Sequence, residues 1–143
     1  QNIGGINHWD LKKGIDENPL MDENEIKEWI NNGMEIGSHT QNHIRLTESD
    51  IKTATKEITQ SKLDLERQFD CSISHFCYPY GNYNDEIIAI TKDAGYSTAT
   101  TVNRGRVVHG DDLLTLSRVP ITHRTFFHLF LMKILSKYED NHA

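Results

Sequence analysis

The sequence predicts an α/β fold in which parallel strands alternate with helices, the sheet being either open or closed as a barrel. Two observations support this prediction. Short runs of β-branched and aromatic residues alternate along the 143 residues with stretches whose apolar residues recur at the helical period. Capping and turn residues lie at the boundaries between these segments. In such folds the loops that follow the carboxyl ends of the strands carry the chemistry.

The first half of the chain is predicted to contain two helices separated by a short strand. Asp22, with Glu25 three residues later, has the pattern of a capping box, and residues 32–33 form a typical helix end. The strand is predicted at residues 34–37 and the second helix at residues 47–69. The apolar and small side chains predicted to face inward are Ile26, Trp29 and Ile30 on the first helix, and Ile51, Ala54, Ile58, Ser61, Leu63 and Leu65 on the second.

The second half continues the alternation with three predicted strands and two helices. The strands are predicted at residues 73–78, 96–102 and 113–121. Asn84 caps a helix that Gly95 ends, and Thr122 or Thr125 is the candidate cap of the last helix. That helix carries the apolar residues Phe126, Phe127, Phe130, Leu131, Ile134 and Leu135. Because it is so strongly apolar, it is predicted to pack over the sheet.

Two histidines four residues apart follow the first predicted strand. His39 and His43 would share one face of a helical turn, and neutral imidazole binds zinc at about 2.0–2.1 Å. The spacing alone is weak support, since a chain with eight histidines contains about 0.4 such pairs by chance. Their position is stronger support, because the loop at residues 78–81 follows the next strand and should lie beside them.

Around these residues the sequence resembles the polysaccharide deacetylases of carbohydrate esterase family four. Residues 33–43 are similar to the family segment Gly-His/Ser-Glu-Ile-Gly-Ser-His-Thr-x-x-His, and residues 76–81 to Phe-Arg-x-Pro-Tyr-Gly. Residues 94–99 and 116–119 resemble two later strand segments, so the resemblance covers about residues 9–135. It implies a distorted parallel (β/α) barrel.

The opening motif of the family has no match in this sequence. That motif is a strand ending in Thr-Phe-Asp-Asp-Gly, which supplies the general base and the third metal ligand. The pair at residues 111–112 lies in a predicted polar loop and is interpreted as solvated charge. Residues 1–10 resemble the loop after the second strand of the family. We therefore expect residues 1–143 to be a single deacetylase domain that lacks its first strands, an N-terminally incomplete barrel.

An incomplete parallel sheet exposes unpaired backbone groups along its edge. With the first strands missing, the edge next to residues 34–37 would be open. The expectation is that residues outside this sequence cover the edge, or that the chain forms a homo-oligomer through it.

The resemblance implies metal-dependent hydrolysis of N-acetyl groups on a polysaccharide that contains N-acetylglucosamine. The cofactor would be a divalent metal, in the first place Zn²⁺, with His39 and His43 as ligands. The backbone N–H of Tyr80, in a turn fixed by Pro79, would stabilise the oxyanion. His123, after the last predicted strand, is the candidate general acid.

The substrate-binding residues implied by the resemblance belong to the turn after the second strand. They are Tyr78, Pro79 and Tyr80, and Trp9 is a further candidate for stacking on a sugar ring. One departure from the family affects this region: Cys77 replaces an arginine that would orient the catalytic aspartate, and a thiol has no guanidinium fork.

Two other interpretations remain open. The chain could be a non-catalytic fragment or relic that keeps the scaffold without the base and the third ligand. It could also be a zinc hydrolase on another (β/α) scaffold, such as an amide-ring opener of the same superfamily.

Composition narrows the remaining classes. With 36% hydrophobic residues, a formal charge of −6 and no apolar run near 18 residues, the sequence predicts one soluble globular domain without a transmembrane helix. A net acidic chain without a basic stripe is not typical of nucleic-acid binding. Cys71 and Cys77 are predicted to be free thiols. The resemblance implies an extracytoplasmic location: secreted, periplasmic or in the cell envelope.

Overall fold

The structure is a computed structural model that describes residues 3–7 and 16–142. This part of the chain contains four α-helices and a small parallel sheet. The helices are α1 (Glu23–Asn31), α2 (Ile51–Phe69), α3 (Asp85–Asp93) and α4 (Phe127–Leu135). The strands are β1 (His75–Cys77), β2 (Thr98–Arg104) and β3 (Leu116–Arg118). Short 3₁₀ turns occupy Leu46–Glu48, Pro79–Gly81 and Asp140–His142.

The sheet has the order β1-β2-β3, and both pairings are parallel. Phe76 lies opposite Ala99 in the first pairing and Thr100 opposite Leu116 in the second, with a register shift towards Arg104. Helix α3 connects β1 to β2, as a βαβ unit requires. The predicted α/β fold with a parallel sheet is therefore confirmed.

The predicted strand at residues 34–37 is wrong in position and extent. Only Ser38 pairs with β1, through an isolated parallel bridge to Phe76. Its N–H donates to the carbonyl of His75 at 2.8 Å. The preceding backbone is bonded to the end of α1 instead, because the Met34 N–H and the Glu35 carbonyl bond to Trp29. These groups are therefore engaged away from β1.

Local capping follows the sequence closely. The Asp22 carboxylate accepts the N–H of Glu25 at 2.9 Å, and the Glu25 carboxylate accepts the N–H of Asp22 at 2.8 Å, which confirms the capping box. Asn84 caps α3 by accepting the N–H of Ile87 at 2.9 Å. Helix α2 begins later than predicted, because Asp50 is its cap and accepts the N–H of Thr53.

The core lies between helices α2 and α3 and the sheet. Its buried residues are Leu46, Ala54, Ile58, Ile73, Phe76, Tyr78, Ile87, Tyr96, Ala99 and Leu114. Three residues that the sequence predicted to face inward are exposed: Trp29, Ile51 and Leu63. Ser61 is buried, as predicted, and the buried face of α2 also includes Glu57, because that face meets a polar loop as well as the core.

Helix α4 differs from its prediction. Neither threonine caps it, since the N–H of Thr122 donates to the Thr125 hydroxyl at 3.0 Å and the cap position is Phe126. Its apolar side chains do not pack over the sheet: Phe127 is 75% exposed. The only residue of α4 that the structure buries is Lys133.

An ionic cluster holds the end of the chain to β2. Glu139 is fully buried and contacts Lys133, and its carboxylate accepts from Arg104 at 2.8 and 2.9 Å. The guanidinium of Arg106 pairs with Asp140 at 2.8 Å. The segment that follows β3 is thus anchored by charge. Within the described residues, no helix has the length and apolar character needed to cross a membrane.

Candidate metal and active site

The two predicted motifs meet at one edge of the sheet. The segment 39–43, named here the ligand loop, follows the Ser38 bridge, and the 3₁₀ turn of Tyr80 follows β1. The ring centroids of His39 and His43 are 4.7 Å apart, and those of His43 and Tyr80 are 4.6 Å apart. The structure therefore brings these three residues together.

The orientation of His39 is set by β1. Its Nδ1 lies 2.6 Å from the Cys77 carbonyl oxygen, which can only accept, so Nδ1 carries the proton and Nε2 has the lone pair. Burial opposes protonation of the ring, but the hydrogen bonds with Cys77 prevail and raise the pKa of His39. A metal-binding histidine usually donates its other ring N–H to a carboxylate, a water or a backbone carbonyl such as this one.

The ligand loop has an unusual backbone. Thr40 has a φ of +63° and His43 a φ of +54°, in the left-handed region that non-glycine residues rarely adopt. The N–H of His43 donates to the Thr40 hydroxyl at 3.0 Å, which closes the loop on itself. Such a conformation persists only where neighbouring groups hold it. Those groups lie on α2.

The Tyr80 turn is also strained, and packing fixes it. Tyr80 has a φ of +59° and Gly81 a φ of +64°. A Cβ atom on Gly81 would lie 2.3 Å from Val102, so only glycine fits. Tyr80 is 45% exposed beside the histidines, and the guanidinium carbon of Arg45 lies 4.5 Å from its ring centroid.

The prediction that Tyr78 and Pro79 bind substrate is wrong for their side chains. Tyr78 is 1% exposed and donates its hydroxyl to the Leu114 carbonyl at 3.0 Å, and burial raises its pKa. Pro79 is fully buried as well. Both residues pack in the interior and shape the turn, because the chain turns inward before it exposes Tyr80.

The remaining candidates fall into three groups. His123 is exposed on a turn five residues after β3, and its role as the acid stays a prediction. Trp9 lies outside the described residues. Asp111 and Asp112 are exposed and accept backbone N–H groups of their own loop, from Val108 at 2.8 Å and Leu114 at 2.9 Å, as expected for solvated loop charge.

The side chains brought together here could supply two of the ligands of a divalent metal. Two imidazoles whose centroids are 4.7 Å apart are appropriate zinc-type donors. Within residues 3–7 and 16–142, however, no three His, Cys, Asp or Glu side chains are grouped closely enough to hold an ion. The pair borders a groove of about 420 Å³ whose wall includes Leu20, Met21 and Leu65. The site thus offers two candidate ligands in the wall of a largely apolar groove.

Cys77 and Cys71 are free thiols, as predicted, and both are partly buried. Burial opposes ionisation of Cys77, but hydrogen bonds with His39 and Thr100 prevail and lower the pKa of its thiol.

Sequence reasoning missed two residues of the site. Glu57 lies beneath the ligand loop, and Arg45 lies over Tyr80. A signal for Glu57 existed, because a glutamate between Ala54 and Ile58 interrupts an inward-facing row. Nothing in the sequence marks Arg45.

The family model described as polysaccharide deacetylase matches residues 7–99, which is more than half of the chain. The chain therefore belongs to the polysaccharide deacetylase family. This match favours the deacetylases over the other zinc hydrolase scaffolds considered from the sequence.

Individual relatives agree with this assignment. A putative polysaccharide deacetylase of Bacillus subtilis, YxkH, is 26% identical over 112 residues, covering 78% of this chain and 40% of the relative. The poly-beta-1,6-N-acetyl-D-glucosamine N-deacetylase of Staphylococcus aureus is 25% identical over 119 residues, covering 77% of this chain and 41% of the relative. The chain thus spans about two-fifths of the length of these curated relatives.

A solved structure extends the similarity to three dimensions. The Streptococcus pyogenes deacetylase PplD, determined in complex with acetate, superposes with a TM-score of 0.78 at 28% identity. The match covers 81% of this chain and 51% of that chain. It confirms the predicted (β/α) fold, of which the described sheet is a part.

Proposed function

We propose that this chain is part of a metal-dependent enzyme that removes N-acetyl groups from a polysaccharide containing N-acetylglucosamine. The observation that carries the proposal is the pairing of His39 with His43 beside the Tyr80 turn, in a member of the polysaccharide deacetylase family. The name of the Staphylococcus aureus relative specifies a poly-N-acetylglucosamine substrate for that protein. Such a substrate favours an extracytoplasmic location, where matrix and cell-wall glycans lie.

His39, through Nε2, and His43 are the residues proposed to hold the metal, in the first place Zn²⁺. A divalent cation bound there would act as a Lewis acid on the amide carbonyl and would acidify a bound water. Because the described residues place no third ligand beside the pair, we propose that a carboxylate outside them completes the set. A second carboxylate there would act as the base.

The remaining steps are assigned to residues of this chain. Tyr80 presents its exposed ring to a sugar, and its backbone N–H, in the strained turn, is the proposed oxyanion donor. His123 is the proposed acid that protonates the leaving amine. Tyr78 and Pro79 support this arrangement from the interior.

Metal binding tests the proposal directly. Zinc is titrated into the full-length protein, into a His39→Ala, His43→Ala double variant, and into a control with two exposed histidines removed, His109→Ala and His128→Ala. We expect one zinc per chain in the wild type and in the control, and none in the first variant. Equal zinc content in all three proteins would refute the proposed site.

The non-catalytic alternative is favoured by one observation, the lack of a third ligand among the described residues. Hydrolysis of an N-acetylglucosamine oligomer by the 143-residue chain and by the longer gene product separates the two functions. Loss of a general base costs about 10²–10⁴ in rate, so we expect turnover only in the longer protein. Inactivity of both would support the relic.

A further inference from the structure

Glu57 is a buried carboxylate that serves the ligand loop. It lies on α2 and is 6% exposed. Its Oε2 accepts the N–H of Gln41 at 3.0 Å and the N–H of Asn42 at 2.8 Å. Its Oε1 accepts the side-chain amide of Asn42 at 2.6 Å. Two of the three donors are thus backbone groups between the two histidines.

A buried carboxylate is costly unless its charge is compensated. Most buried carboxylates are paired with a cation, whereas Glu57 is compensated by N–H groups of the loop. A glutamate at this point of α2 is therefore explained by the loop that it binds.

The loop requires such support. Thr40 and His43, which flank the bonded pair, both have positive φ, and a strained backbone must be held by its surroundings. Without the carboxylate, the N–H groups of Gln41 and Asn42 would turn towards other acceptors. The rings of His39 and His43 would then separate.

Other groups on α2 act in the same direction. The hydroxyls of Ser61 and Ser38 are 2.7 Å apart, and Asp64 accepts the side-chain amide of Gln41 at 2.7 Å. Glu57, Ser61 and Asp64 are separated by four and three residues, so they lie along one face of the helix. One face of α2 therefore contacts the ligand loop at two points, Glu57 and Asp64, and contacts Ser38, just before the loop, through Ser61.

We propose that Glu57 is a positioning residue for the metal site, holding the ligand loop in the conformation that keeps His39 and His43 within reach of one ion. The inference rests on the proposed function for the identity of the ion. The part of it that concerns loop conformation is independent of metal.

Two substitutions of Glu57 show whether the length of its side chain or its negative charge matters to the loop. Glu57→Asp keeps the charge but withdraws the carboxylate by about 1.5 Å, one carbon–carbon bond. Glu57→Gln keeps the reach, since its Oε1 can accept both backbone N–H groups while the Asn42 amide turns over to accept from its Nε2. A positioning role predicts that Glu57→Asp is the more harmful change.

Glu66 provides the matched control. It lies on the same helix and also accepts a backbone N–H, that of Ile73 at 3.1 Å, away from the ligand loop. Glu66→Asp therefore shortens a carboxylate of the same helix without touching the loop, although Glu66 is more exposed and also pairs with Lys62. Asn42→Ala is a second loop variant on an exposed residue, which loses one of the three bonds and keeps the buried carboxylate.

The experiment measures zinc affinity and the hydrogen exchange of the Gln41 and Asn42 amides in the full-length protein. For Glu57→Asp we expect faster exchange at both amides and a zinc affinity about 10- to 100-fold weaker. Glu57→Gln and Glu66→Asp should stay close to the wild type. Asn42→Ala should show a smaller loss, which supplies the test if Glu57→Asp does not fold.

The outcomes separate this inference from the proposed function. If the wild type binds no zinc, the proposed metal site fails, and amide exchange alone decides the role of Glu57. Wild-type exchange at Gln41 and Asn42 in Glu57→Asp would overturn the inference. So would a zinc affinity in Glu57→Asp equal to that of Glu66→Asp, in a wild type that binds zinc.

Discussion

Two regions of this chain are stabilised in different ways. One is the sheet edge that carries the ligand loop and the Tyr80 turn, called here the site edge, and the other is the C-terminal segment that contains α4. The ligand loop and the Tyr80 turn rest on a shared apolar core and on buried hydrogen bonds from α2. The segment containing α4 leaves most of its apolar side chains in solvent and is anchored by an ionic cluster around Glu139. Residues of this chain support the site edge. The apolar surface of α4, in contrast, is not covered by any of the described residues.

This difference shows where the incompleteness of the barrel appears. The sequence placed the open edge next to residues 34–37. Among the described residues, the three most exposed large apolar side chains instead lie on α4 or at its start: Phe126, Phe127 and Leu135. Apolar surface of this kind is typical of an interaction site. If the two regions are independent, a change that releases one should leave the hydrogen-exchange protection of the other unchanged.

The largest effect is expected for Glu139→Gln. This change leaves Lys133 buried without its anionic partner, and breaking a buried ion pair costs about 3–5 kcal/mol. We expect α4 to lose its hydrogen-exchange protection while the site edge keeps its own. Asp140→Asn, at a half-buried pair with Arg106, is the control and should have a smaller effect. Equal loss of protection in both regions would show that they unfold as one unit.

Gly81→Ala should destabilise the site edge. The new Cβ meets Val102 at 2.3 Å in a left-handed backbone, at a cost of about 2–4 kcal/mol in the free energy of unfolding. Gly33→Ala isolates the backbone part of this cost, since its φ is +80° and no atom lies within 4 Å of its Cβ. Val102→Ala should restore part of the stability of Gly81→Ala in a double-mutant cycle. If Gly81→Ala and Gly33→Ala lower the free energy of unfolding by the same amount, the contact between the new Cβ and Val102 contributes nothing.

A smaller and graded effect is expected from acid. Burial opposes the charge of Glu139, but hydrogen bonds with Lys133 and Arg104 prevail and hold the pKa of its carboxyl below its ordinary value of 4.5. A lowered folded-state pKa gives stability that is present above pH 4.5 and is lost as pH falls through the folded-state value. The protection of the α4 amides, relative to their intrinsic exchange at each pH, should therefore fall below pH 4.5, before that of the site edge. Simultaneous acid release of both would contradict the comparison.

The smallest change in stability is expected for Phe127→Ser. This side chain is 75% exposed, so its loss should alter the free energy of unfolding by about 0.5 kcal/mol or less. The sequence predicted a homo-oligomer through the sheet edge next to residues 34–37. If the exposed apolar surface of α4 forms the contact instead, Phe127→Ser should weaken self-association. Sedimentation of the wild type against Phe127→Ser measures this. A monomeric wild type at all concentrations would exclude such an oligomer.

The sequence by itself determined the features that depend on neighbouring residues. The capping box of Asp22 and Glu25 and the Asn84 cap are hydrogen bonds across three residues, so their pattern is visible in the chain. The position of His39 and His43 beside the loop that follows β1 followed from the order of elements, although the strand predicted before them is only a bridge at Ser38. The parallel sheet followed from the same alternation.

Tertiary structure alone decided contacts between residues distant in the chain. Glu57 reaches the ligand loop across 15 residues, and Gly81 must be glycine because Val102 lies against it. The burial of Tyr78, which removed it from the substrate face, depends on Leu114, 36 residues away. The exposure of α4 also could not be predicted, because an apolar helix indicates that it needs a partner but not whether that partner is in the same chain.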